Sequence, residues 1–141
     1  GGDHSISLSI FRALGRNKPV GMVHIDAHCD TSGAYEGAKF HHGGPFRLAV
    51  LDGVLDPQRT IQIGIRGGAE YLWEFSFDSG MTVIHGEEIP KLGIDAIIKQ
   101  AEDYQQRLKG LDIALGKVNR ANTAVTKLAA DLIPENKKNN E

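Results

Sequence analysis

Apolar and polar positions alternate along this chain in blocks of helical and strand character. Ser5 to Leu14 carries Ile6, Leu8, Ile10, Phe11 and Leu14 at close to helical spacing. Ser5 is a candidate cap for that helix, and Gly15 with Pro19 would end it. Val20 to Ile25 is short and apolar or β-branched, the pattern of a buried parallel strand. Thr31 to Gly44 is rich in glycine and polar residues and predicts a loop. Pro45 and Phe46 open a helix through Val50, with proline at the first helical position. Further strands are expected at Thr60–Ile65 and Met81–His85, and further helices at Ala69–Asp78 and Ile94–Leu108. Ile113 to Ile133 predicts one or two amphipathic helices, and Pro134 to Glu141 is polar enough to fray.

Strands alternating with helices predict an α/β fold, a parallel sheet flanked by helices. Ligands in such sheets gather at the carboxyl ends of the strands. The 141 residues suffice for one domain with a real core. A formal net charge of −2 provides no basic field for nucleic acid or an anionic membrane. No apolar run is long enough to span a bilayer. Cys29 is the single cysteine, which rules out an internal disulfide and points to a cytoplasmic home. The first residue is Gly1 and not Met, so a fragment is expected.

The chemistry concentrates where the first strand ends, at Asp26-Ala27-His28-Cys29-Asp30. If the strand continued, Asp26, His28 and Asp30 would share one face. Mixed nitrogen and oxygen donors suit a divalent cation of intermediate hardness. Alone, the pattern also describes, less often, a polar strand end whose carboxylates cap a neighbouring helix. Gly1-Gly2-Asp3-His4-Ser5 upstream shifts the balance, because two glycines allow a tight turn that presents His4. His24 reads as structural, or as an outer partner of a ligand. His41 reads as a loop residue, and Cys29 as buried packing. Arg47 and Arg66 are left without a role.

These stretches, with His42-Gly43-Gly44-Pro45-Phe46-Arg47 and Gln62-Ile63-Gly64-Ile65-Arg66-Gly67, resemble the ureohydrolase family of arginases, agmatinases and guanidinoalkanoate hydrolases. The similarity runs from Gly1 to about Ile98 and leans toward the agmatinase, guanidinobutyrase and guanidinopropionase branch. A metal-dependent deacetylase of similar architecture is a more remote alternative, and the paired glycine motifs argue against it. The resemblance implies an arginase-like three-layer sandwich, here incomplete, with residues 1–109 a partial domain and 110–141 a helical tail. It implies a two-manganese hydrolase that releases urea and an amine from guanidinopropionate, guanidinobutyrate or agmatine. On that pattern Asp26 bridges the metals, His4 and Asp30 hold one, and His28 holds the other. A metal-bridging hydroxide attacks the guanidinium carbon, Asp30 orients it, and His42 delivers a proton to the leaving amine. The resemblance also implies a small guanidino substrate and homo-oligomers.

The chain departs from the family pattern in two places. The later glutamate that holds the guanidinium in the family has no evident match. The family's second ligand motif, Ser-Phe-Asp-x-Asp, is imitated by Ser76-Phe77-Asp78-Ser79-Gly80, where Gly80 replaces the second aspartate. Asp78 is therefore expected at a helix end. Weak or single metal occupancy and little catalysis are expected from this chain, whose alternative role is that of a non-catalytic metal-binding fragment.

Overall fold

The computed structural model describes residues 3–67, 69–104 and 123. Its elements are α1 (Ile6–Leu14), β1 (Val20–Ile25), α2 (Pro45–Leu51), β2 (Leu55–Ile65), α3 (Glu74–Ser79), β3 (Thr82–His85) and α4 (Ile89–Leu92). Residues 94–104 are helical as well. The helices expected beyond residue 104, and the tail at 110–141 apart from Thr123, lie outside the described residues.

The three strands form one parallel sheet in the order β1-β2-β3. Helices cover both of its faces. Leu8, Phe46, Ala49, Leu55 and Met81 form a core between α1, α2 and the sheet. Ile61, Ile63 and Ile84 meet Ile97 from the 94–104 helix on the other face. β2, the central strand, is buried from Thr60 to Ile63 and at Ile65, whereas β1, expected to be buried, is an edge strand in which only His24 is buried and Val23 and Ile25 are exposed. Successive side chains of β2 alternate between the two cores. Gln62, between Ile61 and Ile63, therefore points to the α2 side and is fully buried.

The parallel sheet and flanking helices agree with the sequence expectation, and the local differences have physical causes. Ser5 occupies the position before α1, but its side chain makes no capping hydrogen bond. Asp3 acts instead, its Oδ1 accepting the Ser5 N–H at 2.8 Å. Gly15 ends α1 because the chain passes close to Val54, whose carbonyl oxygen would lie 2.2 Å from a Cβ there. β2 begins at Leu55, before the expected Thr60, and the register with β1 shifts between Val20 and Met22. Pro57 gives no N–H to the ladder, and a bulge absorbs it. The helix expected over Ala69–Asp78 divides at Trp73 into one 3-10 turn, Glu70–Leu72, and α3. Among the described residues, no helix is long and apolar enough to cross a membrane.

Candidate metal centre

The strand does not continue through the Asp-Ala-His-Cys-Asp stretch. β1 stops at Ile25, and Asp30 has φ +51°, so strand alternation does not bring its polar residues together. A turn does. The Asp26 N–H still donates to the Ile63 carbonyl at 3.1 Å, and the Arg66 N–H donates to Ala27 at 2.8 Å. The Asp26 Oδ1 then accepts the His28 N–H at 2.9 Å, folding the chain back. Cys29 turns inward and is 3 % exposed, and burial pushes its thiol up to about 11. That is a packed, protonated thiol and no nucleophile. The Asp30 carbonyl accepts the Phe46 N–H at 3.2 Å, which ties the turn to the start of α2.

His4, just before α1, reaches this turn from above the sheet edge. Its Nδ1 lies 2.6 Å from Asp30 Oδ2, and its Nε2 lies 3.8 Å from Asp26 Oδ2. His28 approaches the other oxygen of the same carboxylate, with Nδ1 3.7 Å from Asp26 Oδ1. One carboxylate thus offers each of its oxygens to a different imidazole. Burial pushes the Asp26 carboxyl up, but the His28 N–H, the neighbouring histidines and the Ala27 N–H outweigh it and hold it below the ordinary value. These residues, with Asp3 and His42, line a polar hollow of about 400 Å³.

His24 belongs to the same cluster. Ligand atoms of His4, His24 and Asp26 lie within 4.8 Å of one another. The His24 ring is buried edge-on against Phe46, with centroids 4.7 Å apart. Burial drives its pKa below the ordinary 6.5, against the pull of Asp26 and Asp30. Its Nε2 faces Asp26 Oδ2 at 3.8 Å and has no hydrogen-bond partner. Its Nδ1 lies 3.1 Å from Gln62 Nε2. The sequence reads His24 as structural or as an outer partner of a ligand, and gives no role to Gln62. Nothing in the sequence couples the two; the β1–β2 register, which pairs His24 with Gln62, does.

His42 stands on the loop after Asp30, exposed at the rim. The loop is closed at its neck, where the Ser32 N–H and Oγ both donate to the Gly43 carbonyl, at 2.9 and 2.7 Å. Inside it, His41 Nδ1 accepts the Gly43 N–H at 3.2 Å, and its Nε2 lies 2.8 Å from the Gly33 carbonyl. His41 is a structural clamp, as a loop residue should be. A second hollow, of about 430 Å³, shares His28, Asp30 and His42 with the first and adds Tyr35, Arg66 and Trp73. Arg66 is therefore available to a ligand, whereas Arg47 lies over the Phe75 ring at 4.4 Å.

The model of the Arginase family matches residues 1–112 of this chain. The chain belongs to the arginase family. Guanidinopropionase from Pseudomonas aeruginosa is 51 % identical over 104 residues, which make up 72 % of this chain and 33 % of that protein. The crystal structure of proclavaminate amidino hydrolase from Streptomyces clavuligerus superposes with a TM-score of 0.66 at 34 % identity, covering 74 % of this chain and 35 % of that one. Formiminoglutamase from Trypanosoma cruzi, solved with Mn2+, gives a TM-score of 0.60 at 25 % identity over 72 % of this chain and 35 % of its own. The chain thus spans about a third of the length of the relatives it matches.

An arginase-family metal can be tested against the donors present. The imidazoles of His4 and His28 and the carboxylates of Asp26 and Asp30 line one polar hollow, a mixed N/O set that fits a divalent cation of intermediate hardness. The Ser76-Phe77-Asp78-Ser79-Gly80 stretch contributes nothing to it. Asp78 sits exposed in the last turn of α3, and Gly80 ends that helix at φ +94°, where an aspartate would be strained. Ser76 is buried and hydrogen-bonded to Thr31 Oγ1 at 2.8 Å, so this segment buttresses the loop behind the site.

Proposed function

We propose that this chain carries one half of a binuclear manganese centre that hydrolyses a linear guanidino compound to an amine and urea. The observation that carries the proposal is the Asp26 carboxylate. Its Oδ2 faces His4 at 3.8 Å and its Oδ1 faces His28 at 3.7 Å, so its two oxygens are open to different cations. In this reading His4, Asp26 and Asp30 would hold one cation, and Asp26 with His28 would hold the other. Bound divalent cations supply a hydrolytic nucleophile at neutral pH by lowering the pKa of water.

The remaining roles fall to the protein's own groups. Asp30 Oδ2, already held by His4 at 2.6 Å, accepts a hydrogen bond from the attacking water and orients it. His42, between the two hollows, passes a proton to the leaving amine, a task suited to an imidazole. The guanidinium occupies the polar hollow, and the tail extends past Tyr35 and Trp73 toward Arg66. Apart from Asp30, no carboxylate lines the tail hollow among the described residues, so the distal ammonium of agmatine lacks a partner there. Guanidinopropionate and guanidinobutyrate, which end in a carboxylate, fit Arg66 better. The guanidinopropionase relative from Pseudomonas aeruginosa points the same way.

A second reading keeps the metal and drops the catalysis. The sequence has no pair of aspartates two positions apart, so the cations would be incompletely neutralised by this chain alone. Urea release from the three guanidino compounds, measured with added manganese beside Asp26→Asn, separates the two readings. Manganese-dependent release that favours the guanidino acids and vanishes in the variant supports an enzyme. Manganese binding without release supports the non-catalytic fragment. Absence of both overturns the proposal.

A further inference from the structure

His4, His24 and Asp26 look like a three-residue cation site by distance alone. The hydrogen bonds behind His24 say otherwise. We infer that His24 is a positioning residue that turns an Nε2–H toward Asp26, with Gln62 fixing its tautomer, and that it is not a metal ligand.

The Cys29 backbone carbonyl can only accept, and it lies 2.8 Å from Gln62 Nε2. The amide of Gln62 must therefore direct its NH2 group to that side. The same nitrogen is 3.1 Å from His24 Nδ1. With one hydrogen committed to Cys29, the second donates to Nδ1, which must then be bare. A neutral imidazole with a bare Nδ1 carries its proton on Nε2. That Nε2 is buried, otherwise unpartnered and 3.8 Å from Asp26 Oδ2. A protonated ring nitrogen cannot bind a cation, but the positive end of its N–H dipole faces the carboxylate oxygen across 3.8 Å.

The opposite arrangement is worse. Turning the amide over would let His24 Nδ1–H donate to Gln62 Oε1 and free Nε2 as a ligand. It would also set Oε1 about where Nε2 now lies, facing the Cys29 carbonyl oxygen at 2.8 Å. Two acceptors would then oppose each other in the core, where no water can intervene. Gln62 Oε1 has no partner in the present arrangement. The turned amide would only exchange that orphan for an orphaned NH2, so the orphan does not favour turning. Gln62 is also completely buried, which leaves the amide no third orientation toward solvent.

Gln62 thereby acts on the cluster at two points. It sets which ring nitrogen of His24 carries the proton that faces Asp26, and it holds the Cys29 carbonyl between His28 and Asp30. This role rests on the proposed metal centre for its consequence, but the tautomer itself does not.

Nitrogen-15 NMR of the histidine rings tests it on the full chain, first without added metal and then with zinc, which is diamagnetic. His24 is assigned by the signal lost in His24→Gln. The expected result is an Nε2–H tautomer for His24 in the metal-free protein, unchanged when zinc shifts the ring nitrogens of His4 and His28. Gln62→Leu should then release His24 into a mixture of tautomers and weaken zinc binding about tenfold. If that variant fails to fold, the wild-type spectra still decide. An Nδ1–H tautomer in the wild type, or direct zinc coordination by His24, overturns the inference. An Nε2–H tautomer with no zinc binding sustains the His24 assignment and overturns the metal centre instead.

Discussion

The inner side of the cluster is packed and hydrogen-bonded, and the outer side is open. His24 is 8 % exposed and touches Phe46, Gln62 and Asp26. His28, four residues on, has 67 % of its side chain exposed and meets only Asp26 Oδ1 closely among the contacts described. Both histidines stand two positions from Asp26, one on either side. The difference lies in what the backbone does between them. β1 carries His24 under α2, and the turn after Ile25 swings His28 out over the hollow. Burial fixes a side chain and its tautomer, and exposure leaves a nitrogen free to bind. The same residue type thus becomes support on one side and a candidate ligand on the other.

The contrast breaks most sharply at Asp26, which both sides share. Asp26→Asn removes the charge between the two histidines. Manganese affinity, read by equilibrium dialysis, should fall at least by the ~100-fold that outer-shell losses can reach. A smaller loss would mean that the carboxylate is not central. Next come His4→Ala and His28→Ala. His4 faces two carboxylates and His28 only one, so affinity should suffer more from the first change. Equal losses would erase the difference between the two halves of the site.

The inner side also predicts a pH dependence of stability. Burial holds the His24 pKa below its ordinary 6.5. Below that value the unfolded chain takes up a proton that the folded chain refuses, so stability is full above pH 6.5 and falls on acidification through it. The slope from this group is at most ~1.4 kcal/mol per pH unit. In His24→Phe, thermal unfolding between pH 7.5 and 5.5 (a range of about two units around the histidine value) should show a shallower acid loss than the wild type. An unchanged slope would mean that His24 is not held neutral. The smallest effect concerns Cys29. With its thiol pushed up to about 11 and buried, it should stay unlabelled by iodoacetamide in the native state and react only on unfolding.

Much of this comparison was legible in the chain itself. β1 is where the apolar run Val20–Ile25 predicts it, and α2 starts at Pro45 as expected. The cluster His4, Asp26, His28 and Asp30 was readable because its residues sit in glycine-rich or strand-end contexts. The way they converge was not. Strand alternation predicted a shared face, and a turn with left-handed backbone at Asp30 produced the grouping instead. Gln62 was hidden for a related reason. A single polar residue between Ile61 and Ile63 carries no sign of which layer it faces. Only the cover on both faces of the sheet makes it internal, and only the β1–β2 register sets it beside His24.

The central claim is that these residues form one half of a two-cation centre built around Asp26. Isothermal titration of the 141-residue chain with manganese tests it most directly. The account predicts one cation bound tightly, a second bound weakly if at all, and loss of the tight site in Asp26→Asn. Two tightly bound manganese ions, or none, would contradict it.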